Sequence, residues 1–200
     1  MRCALYFGSF NPLHIGHAAI AMYVLNAPDI DEFRFVLSPH NPMKDLDTLR
    51  DAQQRWEKLK RAVERMNSPA GRDELASIIT AYAHATLCPA IPPGKKFKAS
   101  NVEFHLPEPL YTYNTLTYLQ QKEPETHFIL IIGADNLAII EKWHRWKELL
   151  SQFEVWVYPR TGCDTPALCK KYGTHYLDAP LIDISSTQIR QNPDWKKWEF

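Results

Sequence analysis

The segment Gly8-Ser9-Phe10-Asn11-Pro12-Leu13-His14-Ile15-Gly16-His17 holds the densest chemistry in the chain. His14 and His17 are three apart, so on an opening helical turn both imidazoles lean to the same side. The first turn of a helix offers free N–H groups and the positive end of its dipole, which suits an anion. Imidazole donors beside it can serve phosphate oxygens as charge builds in a displacement at phosphorus. Gly8 lets the backbone approach a ligand closely, and Pro12 stiffens the loop. An isolated His-x-Gly-His is as often a pair of loop-closing histidines. Here a strand precedes it, Gly-x-Phe-Asn-Pro leads into it and a helix follows, and that context favours the phosphate site.

A second constellation is Ile184-Ser185-Ser186-Thr187-Gln188-Ile189-Arg190. The two serines and Thr187 are N-cap candidates for a helix containing Ile189 and Arg190. Their amides and hydroxyls converge, and Arg190, one turn beyond Ser186, adds a bidentate charge-assisted contact to a phosphate. Alone, this reads as an ordinary N-cap followed by a surface arginine. Its weight comes from the first motif.

Elements that could position these residues follow from the apolar pattern. Arg2–Phe7, Phe33–Leu37, Phe128–Ile132 and Phe153–Tyr158 are short apolar runs bounded by turn formers, and they predict buried strands. Ile15–Leu25, Asp51–Arg65, Thr115–Gln121 and Trp146–Gln152 predict helices between them. The alternation gives an α/β fold with a mainly parallel sheet, whose ligands sit at the carboxyl ends of the strands, where the first motif lies. Residues 67–96, with Asn-Ser-Pro, a helical stretch over Asp73–Ala85 and then Pro89, Pro92, Pro93 and Gly94, read as an irregular excursion from the sheet. At 200 residues and 45% hydrophobic content, one domain spanning 1–200 is expected.

Composition narrows the partners. Lys plus Arg and Asp plus Glu are 23 each, so no basic field points to nucleic acid, and any anion site must be local. Cys3, Cys88, Cys163 and Cys169 are spread without a Cys-x-x-Cys pair or zinc-spaced histidines, which argues against a disulfide framework or structural zinc. The apolar run Cys3–Phe7 stops at Gly8, too soon for a signal peptide or membrane span. The expectation is a reduced, cytoplasmic enzyme that is free of membrane and compatible with a homo-oligomer.

With both motifs in view, the chain resembles the nucleotidylyltransferase superfamily of HxGH enzymes and, within it, the bacterial nicotinate-nucleotide adenylyltransferases. The likeness extends through Ser38-Pro39-His40-Asn41-Pro42-Met43-Lys44, Arg55, Tyr111-Thr112, Thr115-Leu116, Gly133-Ala134-Asp135-Asn136, Trp143-His144-Arg145-Trp146 and Pro159-Arg160. It implies a Rossmann-like parallel sheet flanked by helices, ATP as co-substrate with Mg²⁺, and transfer of AMP to nicotinate mononucleotide, giving deamido-NAD and pyrophosphate in NAD biosynthesis. By the same resemblance, His14 and His17 hold the reacting phosphates. Gly8, Ser9 and Phe10 line the ATP loop, Lys44 joins the ATP site, and Ser186, Thr187 and Arg190 hold the ATP phosphates. Gly133 and Asp135 contact the nucleotide, with Asp135 accepting from a ribose hydroxyl, and Tyr111, Thr112 and Trp143 form the nicotinate pocket.

Elementary physics agrees with several of these roles. An exposed Trp143 would offer a flat face to a pyridine ring, and Thr112, ahead of a helix, would offer amides to a carboxylate, although by themselves Tyr111 and Trp143 read equally well as structural residues, Trp143 as a core anchor. Trp146, on the apolar side of its helix, reads as a core anchor. No protein nucleophile is required: His17 and Arg190 act electrostatically, and Mg²⁺ spans ATP oxygens without an all-protein cage. A relative acting on nicotinamide mononucleotide or another phosphorylated acceptor, and a nucleotide-binding regulator without turnover, remain open at this stage. A class I aminoacyl-tRNA synthetase is disfavoured because no Lys-Met-Ser-Lys-Ser segment follows.

Overall fold

The computed structural model of the chain describes residues 1–39, 52–83, 91–182, 184–192, 194 and 199, without the side chains of 82 and 83. Among them six strands form one sheet: β1 (Arg2–Gly8), β2 (Glu32–Leu37), β3 (Lys96–Ser100), β4 (His127–Gly133), β5 (Glu154–Tyr158) and β6 (His175–Tyr176). Their order is β3-β2-β1-β4-β5-β6 and every pairing is parallel. The chain therefore winds outward from β1 to one edge, returns to the other flank of β1 and winds outward again. This is a doubly wound, Rossmann-like α/β fold.

Successive residues on the central strands explain why they read as unbroken apolar runs. Ala4, Tyr6, Ile129, Ile131, Trp156 and Tyr158 pack on one face, and Cys3, Leu5, Leu130, Ile132, Val155 and Val157 on the other. The first face is covered by α1 (Ile15–Leu25), α2 (Ala52–Asn67) and α3 (Pro69–Ala83), and by Ile189 of α8 (Ser186–Gln191). The second is covered by α4 (Thr112–Lys122), α5 (Ala134–Ala138), α6 (Trp146–Gln152) and α7 (Thr165–Tyr172). A strand buried on both faces has no polar side to show.

Helix α1 is enclosed almost all round, with Ile15, Ala18, Ala21, Met22, Val24 and Leu25 at 4% exposure or less. That is why its apolar residues outnumber those of a simple amphipathic face. Helix α4 starts at Thr112, one turn earlier than the pattern from Thr115 suggests. Its far end is tied to β2, where Arg34 donates to both carboxylate oxygens of Glu123 at 2.7 and 3.1 Å.

Within the stretch read as an excursion lies α3, whose Leu75 and Ile79 are fully buried in the first core cluster. It belongs to the crossover from β2 to β3. Strand β3 closes that flank with Phe97 turned into the core and Lys96 and Lys98 outward. Strand β6 is a two-residue exposed edge. No helix among the described residues is long and apolar enough to cross a membrane.

Candidate active site

The strand order reverses between β1 and β4, so the loops after them flank a crevice at the carboxyl ends of the sheet. The loop after β1 carries Gly8 to His14. Phe10 takes a left-handed backbone, φ 39°, and is 3% exposed. Its ring lies edge-on to His17 at 5.3 Å and Phe35 at 5.5 Å. The same ring covers Gly8, where a Cβ would stand only 3.0 Å from two ring carbons, so any larger residue there would have to push the Phe10 ring aside.

The two histidines cap α1 together. His14 is the N-cap residue, and its Nδ1 accepts from the Gly16 amide at 3.2 Å; His17 Nδ1 accepts from the His14 amide at 3.3 Å. A ring nitrogen that accepts carries no hydrogen, so each ring bears it on Nε2, at the edge away from the cap. The rings lie 3.7 Å apart at 33°. Gly16 makes room for this pairing: a Cβ there would sit 3.1 Å from two His14 ring atoms. His14 is 4% exposed, and burial, helped by the charge of Arg160, lowers its pKa to about 3. At neutral pH it is an uncharged donor. The His-x-x-His spacing thus fixes two tautomers through the helix cap.

Helix α8 docks on this loop. Its N-cap is Ser185, the first of the candidate capping residues, in a capping box with Gln188: Ser185 Oγ accepts from the Gln188 amide at 3.2 Å, and Gln188 Oε1 accepts from the Ser185 amide at 2.8 Å. Ser186 Oγ donates to the Pro12 carbonyl at 3.0 Å. Arg190 donates through Nη1 to the Asn11 carbonyl at 2.5 Å and through Nη2 to Thr187 Oγ1 at 3.1 Å. Ser186 and Arg190 therefore hold the loop.

On the β4 side, Gly133 is the N-cap of α5, and a Cβ on it would clash with the Asp135 carboxylate. Asp135 is half exposed and lies 3.6 Å from Arg160 Nε. The Arg160 guanidinium stands 5.5 Å over the Tyr158 ring, and Tyr158 shares a 3.0 Å hydrogen bond with Tyr6 beneath the crevice. Burial pushes both phenols up, so both stay protonated.

The third group surrounds the start of α4. Tyr111 is its N-cap and provides no side-chain cap; Thr112 is the first helical residue. Tyr111 stacks on His144 at 4.4 Å and 18°, which brings the Trp143-His144 segment to the helix start. Trp143 is not the exposed face that the sequence suggests. It is half-buried against the second core cluster, with Nε1 sealed from solvent and no acceptor among the described residues. Trp146 also packs there, as a core anchor should. Below, Thr115 donates to Glu103 at 2.8 Å; burial raises the Glu103 pKa, against hydrogen bonds from Ser38 and Thr115. Lys44 lies outside the described residues.

Comparison with known proteins matches this architecture. The chain matches the cytidylyltransferase-like family over residues 5–192. A probable nicotinate-nucleotide adenylyltransferase of Flavobacterium psychrophilum is 38% identical over 98% of this chain and 89% of its own length. One from Bacteroides fragilis is 34% identical over 95% and 81%. The chain belongs to the nicotinate-nucleotide adenylyltransferases of the cytidylyltransferase-like family. Among solved structures, Plasmodium falciparum nicotinic acid mononucleotide adenylyltransferase complexed with NaAD shares the fold, with TM-score 0.71 and 19% identity over 95% of this chain and 82% of that one.

The sequence assigns no role to Arg55, Glu103, His144 or Arg160, yet each contacts a segment that flanks the crevice: Arg55 the loop after β1, Glu103 the start of α4, His144 Tyr111 and Arg160 Asp135. Arg160 was within reach as the charged residue that follows β5. Glu103 and His144 depend on contacts between distant segments, which spacing does not reveal.

Proposed function

We propose that this chain transfers AMP from ATP to nicotinate mononucleotide, releasing pyrophosphate and forming deamido-NAD. The observation that carries the reading is the paired-histidine cap at the switch point, with an Nε2–H on each ring and the Asp135 carboxylate across the crevice. An oxygen of the acceptor phosphate attacks the α-phosphorus of ATP in line; the new P–O bond forms as the bond to the bridging oxygen of pyrophosphate breaks. His14 and His17 donate to the oxygens that gain charge, and Arg190 with Ser186 and Thr187 receives the departing pyrophosphate. Asp135 accepts from a ribose hydroxyl, and the uncapped start of α4 receives the nicotinate carboxylate. Trp143 and Tyr111 bound the pyridine ring.

Mg²⁺ fits as an ion that arrives on ATP: no group of three or more metal-binding side chains converges among the described residues, and the imidazoles are set as donors. When bound, it neutralises phosphate charge. A reducing cytoplasm suits the free Cys3, Cys163 and Cys169. The direct test is coupled detection of pyrophosphate from ATP plus nicotinate mononucleotide. Release that requires both substrates is expected; ATP binding without turnover would instead favour a nucleotide-binding regulator.

A further inference from the structure

We propose that Arg55 is a positioning residue for the phosphate loop, turning the Phe10 amide hydrogen toward the ATP phosphates by drawing the Ser9 carbonyl into the protein. The inference rests on the reading of the crevice as an ATP site. Arg55 sits in the first turn of α2 and is 1% exposed. Its Nη1 donates to the Ser9 carbonyl and the Ser38 carbonyl, each at 2.9 Å, and its Nη2 donates to the Pro39 carbonyl at 2.6 Å. The Ser38 amide in turn donates to the Gly8 carbonyl at 2.9 Å. One guanidinium thus fastens the loop after β1 to the loop after β2.

Peptide geometry supplies the consequence. A trans peptide points its carbonyl and its N–H in opposite directions, so a Ser9 oxygen held by Arg55 sends the Phe10 N–H away from α2. Among the described backbone hydrogen bonds the Phe10 amide donates to none. Phe10 also has φ 39°, a conformation a bulky residue keeps only when it is held on several sides. Its ring is gripped by Tyr6, His17 and Phe35, and its preceding peptide by Arg55. A guanidinium is costly to bury, and an apolar side chain would fill such a space as well. What an apolar residue cannot do is hold three carbonyls in a fixed plane.

Arg55→Lys and Arg55→Met test this, with a non-hydrolysable ATP analogue as the probe. In the wild type, the Phe10 amide resonance should move downfield when the analogue is added. In Arg55→Met that shift should be lost, with the dissociation constant for the analogue raised about tenfold, the worth of one hydrogen bond to a charged group. The KM for nicotinate mononucleotide should stay within about twofold. Arg55→Lys keeps a buried cation and serves as the second variant if Arg55→Met fails to fold; it should restore only part of the shift and of the affinity. A lowered melting temperature with unchanged analogue affinity and an unchanged Phe10 response would overturn the proposal, leaving Arg55 a stabilising residue. A wild-type Phe10 amide that ignores the analogue would instead overturn the ATP-site reading beneath it.

Discussion

Between Gly8 and His14 four backbone carbonyls are held by residues distant in sequence, whereas on the opposite side of the crevice the segments 111–115 and 144–145 are held through side chains: the Tyr111–His144 stack, the Thr115–Glu103 and Tyr113–Gln152 hydrogen bonds, and the Arg145–Glu148 pair. In the first region the carbonyls of Gly8, Ser9, Asn11 and Pro12 each accept from a residue distant in sequence: Ser38, Arg55, Arg190 and Ser186. The histidines lock each other by a reciprocal cap. In the second, α4 begins without a side-chain cap, Tyr111 is met by the exposed His144, and Arg145 turns the chain at φ 53° with its guanidinium 4.5 Å over Tyr113. On the proposed reading, the first half handles phosphorus and is held through its backbone, while the second recognises the acceptor and is held through side chains. Precise charge placement is needed at the reacting phosphate, while acceptor choice needs only a few amides and a ring of the right shape.

The sharpest way to break that contrast is in the histidine pair. His17→Ala should lower kcat by about 10²–10³, the range for losing one pre-organised donor. The variant should stay folded, with a melting temperature lowered by no more than the loss of one cap bond and the ring contacts to Phe10 and His14 implies. Near-normal kcat would leave the pair as a structural cap only. Arg190→Lys should cost about tenfold in kcat/KM, since a point charge cannot keep both the Asn11 and Thr187 contacts of the planar fork. Full activity with lysine would reduce Arg190 to a loop clasp.

On the acceptor side, Thr112→Pro removes one free amide at the first helical position, where proline is well tolerated. It should fold normally and narrow the preference between nicotinate and nicotinamide mononucleotides by a few-fold, about what one lost hydrogen bond gives. An unchanged ratio in a folded variant would remove the α4 amides from carboxylate recognition.

The last effect is on stability and not on turnover, and concerns His14 and pH. Its pKa is lowered to about 3 in the fold against an ordinary 6.5, so on acidification the unfolded chain takes up the proton first. The stability linked to His14 is complete above pH 6.5 and is lost as the pH falls toward 3. Between those limits the slope from this group is at most about 1.4 kcal/mol per pH unit. His14→Asn keeps a capping side chain and should flatten the urea-midpoint curve between pH 6.5 and 4. Parallel curves for the two proteins would show that His14 titrates normally.

The legible parts of this chain are those whose physics is local. β1, β4 and β5 announce themselves because burial on both faces removes polar residues; β3 and β6 do not, because Lys96 and Lys98 flank Phe97 on one edge and His175-Tyr176 is short and exposed on the other. The spacing of His14 and His17 is visible in the sequence, but their tautomers and the neutral state of His14 follow only from the cap and its burial. Arg55 and Arg160 look like surface charges until the carbonyls and carboxylate that meet them are placed. Trp143 has the right type for a ring platform, yet half of it serves the core, a division no periodicity discloses.

The central claim joins both halves of the crevice: AMP goes to an acceptor carrying a pyridine carboxylate. The most direct measurement is a competition in which ATP is limiting, nicotinate and nicotinamide mononucleotides are at equal concentration, and deamido-NAD and NAD are quantified together. A helix start that favours an anion and leaves amides unpaired beside a carboxamide predicts deamido-NAD in excess by about 10²-fold. Equal yields, or more NAD than deamido-NAD, would contradict the account.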